Sequence, residues 1–244
     1  LGQQIRRAFV AREGALLVGG DYSQIDLRVL AHLSGDPVLV SAFQRGEDIH
    51  AATASLVFGV AAEKVTPDMR RVAKTINFGV IYGMSDYGLE QASDLTREQS
   101  AQFIRSYFEK YPGVKAYLDT TGEQARRLGY VQTLLGRRRR IPELDSPNRQ
   151  LREAAGRMAV NMPVQGTSAD IIKVAMINIF REMTRRGLES RMLLQVHDEL
   201  LFEAPEGEVE EIRRMAAELM SQAVPLIVPL KVDTKVGPNW GEMA

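Results

Sequence analysis

Two short apolar runs, residues 192–196 and 200–204, stand on either side of His197-Asp198-Glu199. Runs of this length parted by a few polar residues predict a tight β-hairpin with the polar residues at its tip. A third apolar run, residues 15–20, predicts a short buried strand that ends on an isolated acid, Asp21. If these strands are neighbours in one sheet, Asp21 and Asp198 converge at its edge. An acid at a hairpin tip is also an ordinary turn former, and Asp198 standing alone would fit that reading better than a site.

The rest of the chain is patterned for helices. Thr66-Pro67-Asp68 is an N-cap followed by proline at the first helical position, and it opens a long helix that Gly79 and Gly83 weaken at its far end. Ser23 with Asp26 three residues on resembles a capping box opening a helix to Leu33, which Gly35-Asp36-Pro37 breaks. Residues 96–111, ended by Pro112, and 114–128, ended by Gly129, are amphipathic; residues 130–140 predict two short strands around Gly136. Residues 151–161 are helical by spacing. Pro163-Val164-Gln165-Gly166 then predicts an interruption, with Thr167 and Asp170 starting a second helix to about residue 186. A helix over 208–224 and a strand over 230–236 close the chain. The expected fold class is α+β.

Composition narrows the chemistry. The 244 residues include no cysteine, so disulfides and thiolate metal sites are excluded, and the histidines are only His32, His50 and His197. Any metal would be held mainly by oxygen, which suits Mg²⁺. Lys+Arg and Asp+Glu both total 31, so net charge gives no support to a polyanionic partner. The distribution says more: nine arginines against three acids over 126–157, then eight acids against Arg213 and Arg214 over 198–223. A basic strip can follow phosphates on a neutral protein, and it also fits a solvated helix face. No apolar stretch approaches the roughly 20 residues of a membrane span, and no leader pattern opens the sequence, so no membrane is expected and a cytoplasmic setting is. An opening Leu1-Gly2 without methionine fits a piece cut from a longer protein.

Two converging carboxylates fit a pair of Mg²⁺ ions roughly 3.5–4 Å apart, which serve in-line phosphoryl displacement in nucleases and polymerases alike. The helix from Pro67 separates these readings. Arg70, Lys74, Phe78 and Tyr82 recur every four residues, each about 40° further round than the last, so one face runs from cationic to aromatic. A triphosphate would meet charge at Arg70 and Lys74 while its base stacked near Phe78 and Tyr82. The same spacing also fits an amphipathic helix with aromatic core contacts and cations reaching over its edge.

Together these segments resemble a known set. The strings DYSQIDLRVLAHLSGD (21–36), MRRVAKTINFGVIYG (69–83) and LLQVHDEL (193–200) resemble motifs A, B and C of family A DNA polymerases, in that family's order, and NMPVQGTSAD (161–170) is similar to a further family segment. The resemblance implies a palm over 1–35 and 130–244, built on a small, mainly antiparallel sheet, and helical fingers over 36–129, with a thumb and N-terminal domains outside the chain. It implies template-directed nucleotidyl transfer from deoxynucleoside triphosphates to the 3′-hydroxyl of primer-template DNA, in replication and repair, by a monomer at the bacterial nucleoid with two Mg²⁺ ions.

The site roles it implies are specific. Asp21, Asp198 and the backbone carbonyl of Tyr22 would hold metal, with Glu199 assisting. Arg70 and Lys74 would hold the triphosphate, Lys74 also donating a proton to the pyrophosphate leaving group. His50 would reach the triphosphate, Phe78 would pack on sugar and base, and Tyr82 would sit where the templating base enters; Gln24 and Asp26 would belong to the nucleotide pocket. Arg157, Asn161, Gln165 and His197 would face the primer terminus and minor groove, and Arg137 and Arg138 the duplex backbone. His197 also fits a structural histidine. Asp26 departs from the family's usual glutamate, whose side chain blocks a ribose 2′-hydroxyl. The shorter aspartate implies weaker discrimination unless a neighbour fills the gap. Phe78, where some relatives carry tyrosine, implies that nucleotides lacking a 3′-hydroxyl are poor substrates. The rival expectations are a family relative that makes RNA, a fragment that binds nucleotide or DNA without turnover, and a metal-dependent nuclease.

Overall fold

A computed structural model describes residues 2–93 and 95–244. Leu1, at the head of the expected palm, and Asp94, inside the expected fingers, lie outside the described residues. Along the chain run α1 (Gly2–Arg6), β1 (Ala15–Tyr22), α2 (Ile25–Ser34), α3 (Pro37–Gln44), α4 (Ile49–Phe58), α5 (Pro67–Ile81), α6 (Asp86–Ala92), α7 (Arg97–Lys110), α8 (Pro112–Leu128), β2 (Tyr130–Gln132), β3 (Arg138–Arg140), α9 (Arg149–Arg186), β4 (Arg191–Val196), β5 (Glu199–Pro205), α10 (Val209–Ser221) and β6 (Val232–Gly237). The fold class is α+β, as the pattern predicted. Contacts divide the chain into two compact units: residues up to Leu27 together with Ser168–Ala244, and Arg28–Thr167.

The first unit holds a four-stranded antiparallel sheet in the order β4-β5-β1-β6. β5 lies inside it, and Leu200, Leu201, Phe202 and Ala204 are all buried, which is why this strand is apolar without alternation. Successive residues of β1 face opposite sides. Gly20 and Tyr22 face α10: the Tyr22 hydroxyl donates to the Met220 carbonyl at 2.7 Å. A Cβ at Gly20 would lie 2.9 Å from the Met220 sulfur, so a side chain there would have to displace the end of this flexible methionine. Leu17, Gly19 and Asp21 therefore share the other side.

The second unit is helical and its helix starts are chemically marked. Thr66 accepts from the Met69 N–H, and Thr96 with Gln99 forms a full capping box. Asp36 caps α3 through the N–H groups of Val38 and Leu39, and its second oxygen takes the Gly113 N–H at 2.8 Å. This one buried acid ties the starts of α3 and α8 together. Ala125, Val131, Ile141, Leu144, Ala155 and Ala159 form a core around the β2–β3 hairpin.

The expected bend at 163–166 is absent: α9 is one 38-residue helix with Pro163 inside it. Both apparent breakers have tertiary explanations. A Cβ at Gly166 would sit 2.6 Å from the Thr133 methyl, so glycine there admits the hairpin loop and does not end the helix. Pro163 forfeits one helical hydrogen bond. Complete burial of Ala159, Val164 and Thr167 holds the helix across it, and the Thr167 hydroxyl donates to the Pro163 carbonyl at 2.6 Å while accepting the Leu134 N–H at 2.9 Å. Thr167→Val keeps the shape and removes both bonds, leaving a backbone N–H unpaired. It is expected to destabilise the chain by about 1–3 kcal/mol, read as a lowered denaturation midpoint.

Candidate active site

The sheet register builds the acidic edge. Asp21 in β1 lies directly across from Glu199 in β5 and from Asp233 in β6, so three acids point to one side of neighbouring strands. Asp198 sits in the two-residue turn between β4 and β5, and its carbonyl accepts the Tyr22 N–H at 3.2 Å. The convergence of Asp21 and Asp198 expected from sequence is thus present, and Asp233 joins it. Nothing local marks Asp233, because its place depends on β6 pairing with β1, strands far apart in the chain.

Like charges side by side are unfavourable, and Asp21 registers it. Its carboxyl is pushed up to about 6, by burial first and then by Asp198, Glu199 and Asp233, with Lys235 opposing. The side chain is flanked by protein yet still reaches solvent, so water screening keeps the energetic penalty well below what the shift alone suggests. Glu199 is tethered: its Oε1 accepts from Trp240 Nε1 at 3.0 Å, and that indole packs edge-on against Phe9 with Arg6 over its face. Among the described residues no three acidic or histidine side chains form a closed metal cage. A pair of neighbouring carboxylates fits Mg²⁺, which typically takes one or two protein carboxylates and completes its shell with water and phosphate oxygens.

Two non-glycine residues have positive φ among the described residues, Gln24 at 56° and His197 at 55°. Each stands at a junction beside a carboxylate, one after β1 and one immediately before Asp198. Such backbones typically cost on the order of 1–3 kcal/mol and persist where surrounding structure enforces them. His197 is exposed, and its carbonyl accepts from Gln195 at 2.9 Å. Asp26, in the first turn of α2, accepts from the Ser168 hydroxyl at 2.6 Å. Sequence reasoning did not pair these two, 142 positions apart.

In the second unit the predicted α5 face is present. Phe78 stacks on Tyr82 with ring centroids 6.2 Å apart, and His50 from α4 lies 6.0 Å from Phe78. Tyr82 is the C-cap of α5. Arg70 and Lys74 lie close enough to His50 to act on it: its pKa falls to about 4, through burial first and then these two cations, against Asp48. Arg70 is engaged already, its Nε 2.6 Å from Asp48 Oδ2, while Asp48 also caps α4. Lys74 is exposed.

The remaining candidates lie on α9 and the hairpin. Because α9 is continuous, Arg157, Asn161 and Gln165 recur along one helix face. Arg157 and Gln165 are exposed; the Asn161 amide lies against the carbonyls of Ile81 and Tyr82 at the end of α5. Arg137 lies in the hairpin loop, its N–H on the Thr133 hydroxyl, and Arg138 covers the Tyr130 ring at 4.8 Å. Both arginines are exposed.

Residues 1–242 match the model of a family described as DNA polymerase family A. The chain belongs to this family. It is 55% identical over 240 residues to the thermostable DNA polymerase I of Thermus aquaticus, and 53% identical over 244 residues to the DNA polymerase I of Chloroflexus aurantiacus. These alignments cover 98% and 100% of this family A chain but 29% and 26% of the relatives, so it spans little more than a quarter of their length. Among solved structures, the POL domain of Pol1 from M. smegmatis, in complex with DNA primer-template and dNTP, matches with a TM-score of 0.94 at 50% identity, covering 98% of this chain and 42% of that one.

Proposed function

We propose that this family A chain is the nucleotidyl-transfer core of a DNA polymerase, adding deoxynucleotides to a primer 3′-hydroxyl and releasing pyrophosphate. The observation that carries this is the edge of converging carboxylates at Asp21 and Asp198, in a chain whose α5 also presents the cationic-then-aromatic face. The likeness to a Pol1 domain in complex with primer-template and dNTP supports those two partners. By role, residues 1–35 and 130–244 would be palm and 36–129 fingers, a different division from the contact-based one.

Two Mg²⁺ ions held by Asp21, Asp198 and the Tyr22 carbonyl would supply activation of the primer hydroxyl and charge stabilisation at the phosphate. The chain's own residues do the rest. Arg70 and Lys74 grip the triphosphate, and Lys74 carries the proton that the pyrophosphate oxygen needs as it leaves. Phe78 and Tyr82 give the base and sugar a stacking surface, so closure over a misshapen pair loses contact area. Arg157, Asn161, Gln165 and His197 monitor the minor groove, while Arg137 and Arg138 grip phosphates without reading sequence. Ser168, bonded to Asp26, is the neighbour positioned to compensate for the shorter side chain at the ribose.

Extension of a labelled primer-template by the purified chain tests this. Extension that needs all four deoxynucleotides and Mg²⁺, and stops on chelation, is the expected result. Primer shortening without nucleotide would favour a nuclease, and DNA retention without extension a binding fragment. In the latter case, restoration by a grafted family thumb would return the reading to a polymerase lacking its clamp on the duplex.

A further inference from the structure

We propose that Asn77, itself held by Thr53, is a positioning residue that fixes His50 as the neutral tautomer protonated on Nε2, so that the ring presents an N–H donor to phosphate oxygens beside Arg70 and Lys74. The proposal rests on the α5 face being the triphosphate site.

In the structure the hydrogen bonds run in one direction toward the ring. Thr53 Oγ1 donates to Asn77 Oδ1 at 3.0 Å, and Asn77 Nδ2 lies 2.9 Å from His50 Nδ1. With the amide oxygen taken by a hydroxyl, the amide group facing the imidazole is the NH₂, which can only donate. Nδ1 must then be bare, and the single proton of a neutral ring sits on Nε2. The reversed amide would need Thr53 Oγ1 as acceptor and a proton on His50 Nδ1, so with Thr53 and Asn77 fully buried the orientation of this amide and the tautomer of the ring are coupled. Tyr111 hydrogen-bonds Thr53 and extends the chain of bonds further into the unit.

The other ring nitrogen is the working end. Nε2 has no hydrogen-bond partner among the described residues and is not one of the fully enclosed unpaired polar atoms. Phe78 braces the ring from the side. The charged groups acting on His50 are Asp48 at the start of α4 and Arg70 and Lys74 from α5, and burial with the two cations keeps the ring neutral. A neutral ring of the wrong tautomer would turn a lone pair toward an anion. The tautomer, more than the charge, therefore decides whether His50 helps or repels a phosphate.

The chain has three histidines, so ¹⁵N-histidine labelling of the intact protein resolves each ring, and His50→Gln assigns the signal. At neutral pH the expected pattern is an unprotonated Nδ1 and a protonated Nε2, with the Nε2 signal moving when dNTP is added. Asn77→Asp replaces the donor by an acceptor and should draw the proton to Nδ1, raising the dNTP KM by about tenfold or more with a smaller change in kcat. Thr53→Val, close to isosteric, frees the amide and should give mixed tautomers in a folded chain. An Nδ1-protonated wild type, or unchanged tautomer signals in both variants, would overturn the lock. An Nε2 signal unmoved by bound dNTP would overturn the donor role. If dNTP perturbs neither His50 nor the α5 residues, it is the triphosphate reading that fails, while the tautomer result still decides the lock.

Discussion

Asp21→Asn is expected to stop primer extension and, with divalent ions chelated, to leave the chain more stable than the unaltered protein above about pH 6. The two effects have opposite signs because one feature causes both. The carboxylate stands beside Asp198, Glu199 and Asp233, which suits a cation and is unfavourable without one. Its folded pKa, about 6, lies above its unfolded value of 3.8. Between those limits the folded chain holds more protons than the unfolded one, so stability falls as pH rises through the window. Below it the acid is neutral in both states and the penalty is absent; above it the penalty is complete. Asparagine keeps the shape and removes the charge, so the variant's denaturation midpoint should lose this part of the pH dependence, and Mg²⁺ should no longer raise it. Extension should fall by about 10³ or more, the several kcal/mol that charge stabilisation at a metal site supplies. Equal Mg²⁺ stabilisation of both proteins would show that Asp21 holds no metal.

What the sequence revealed and what it concealed divide along contact distance. The hairpin, the acid ending β1 and the α5 face were legible because each follows from residues within one turn or a few strand positions: an apolar run, a Thr-Pro start, a four-residue repeat. The helices 37–44, 49–58 and 86–92 were covered only by a general expectation of a helical region, because each is short. Pro163 and Gly166 misled because local rules price them as breakers, while their reasons are the Thr133 methyl and the burial of Ala159 and Val164. Asp233 beside Asp21, Asp48 on Arg70, Asn77 on His50 and Ser168 on Asp26 were all invisible for one cause. Each is an ordinary polar residue in sequence, given its role by a partner brought near only on folding. Sequence thus named the groups proposed to touch substrate, and the structure shows the neighbours bonded to them.

Lys74→Ala should lower kcat/KM for deoxynucleotides by about 10²–10³, as loss of a preorganised transition-state charge does, with the fold untouched. Lys74 is exposed and has no ion-pair partner among the described residues, so its removal breaks no packing and strands no opposite charge. A surface change of that kind shifts stability by no more than about 0.5 kcal/mol. Arg70 makes a useful contrast: its loss would also release Asp48, so a defect there mixes lost binding with a freed carboxylate near the proposed triphosphate site. Lys74→Arg then separates the two roles given to Lys74. Guanidinium retains the charge but does not give up its proton at working pH. If Lys74 only grips phosphate, arginine should restore both KM and kcat. If it also protonates the leaving pyrophosphate, arginine should recover most of the nucleotide affinity and leave kcat low, a split that single-turnover kinetics resolves. Full recovery of kcat would confine Lys74 to binding and move the proton donor elsewhere.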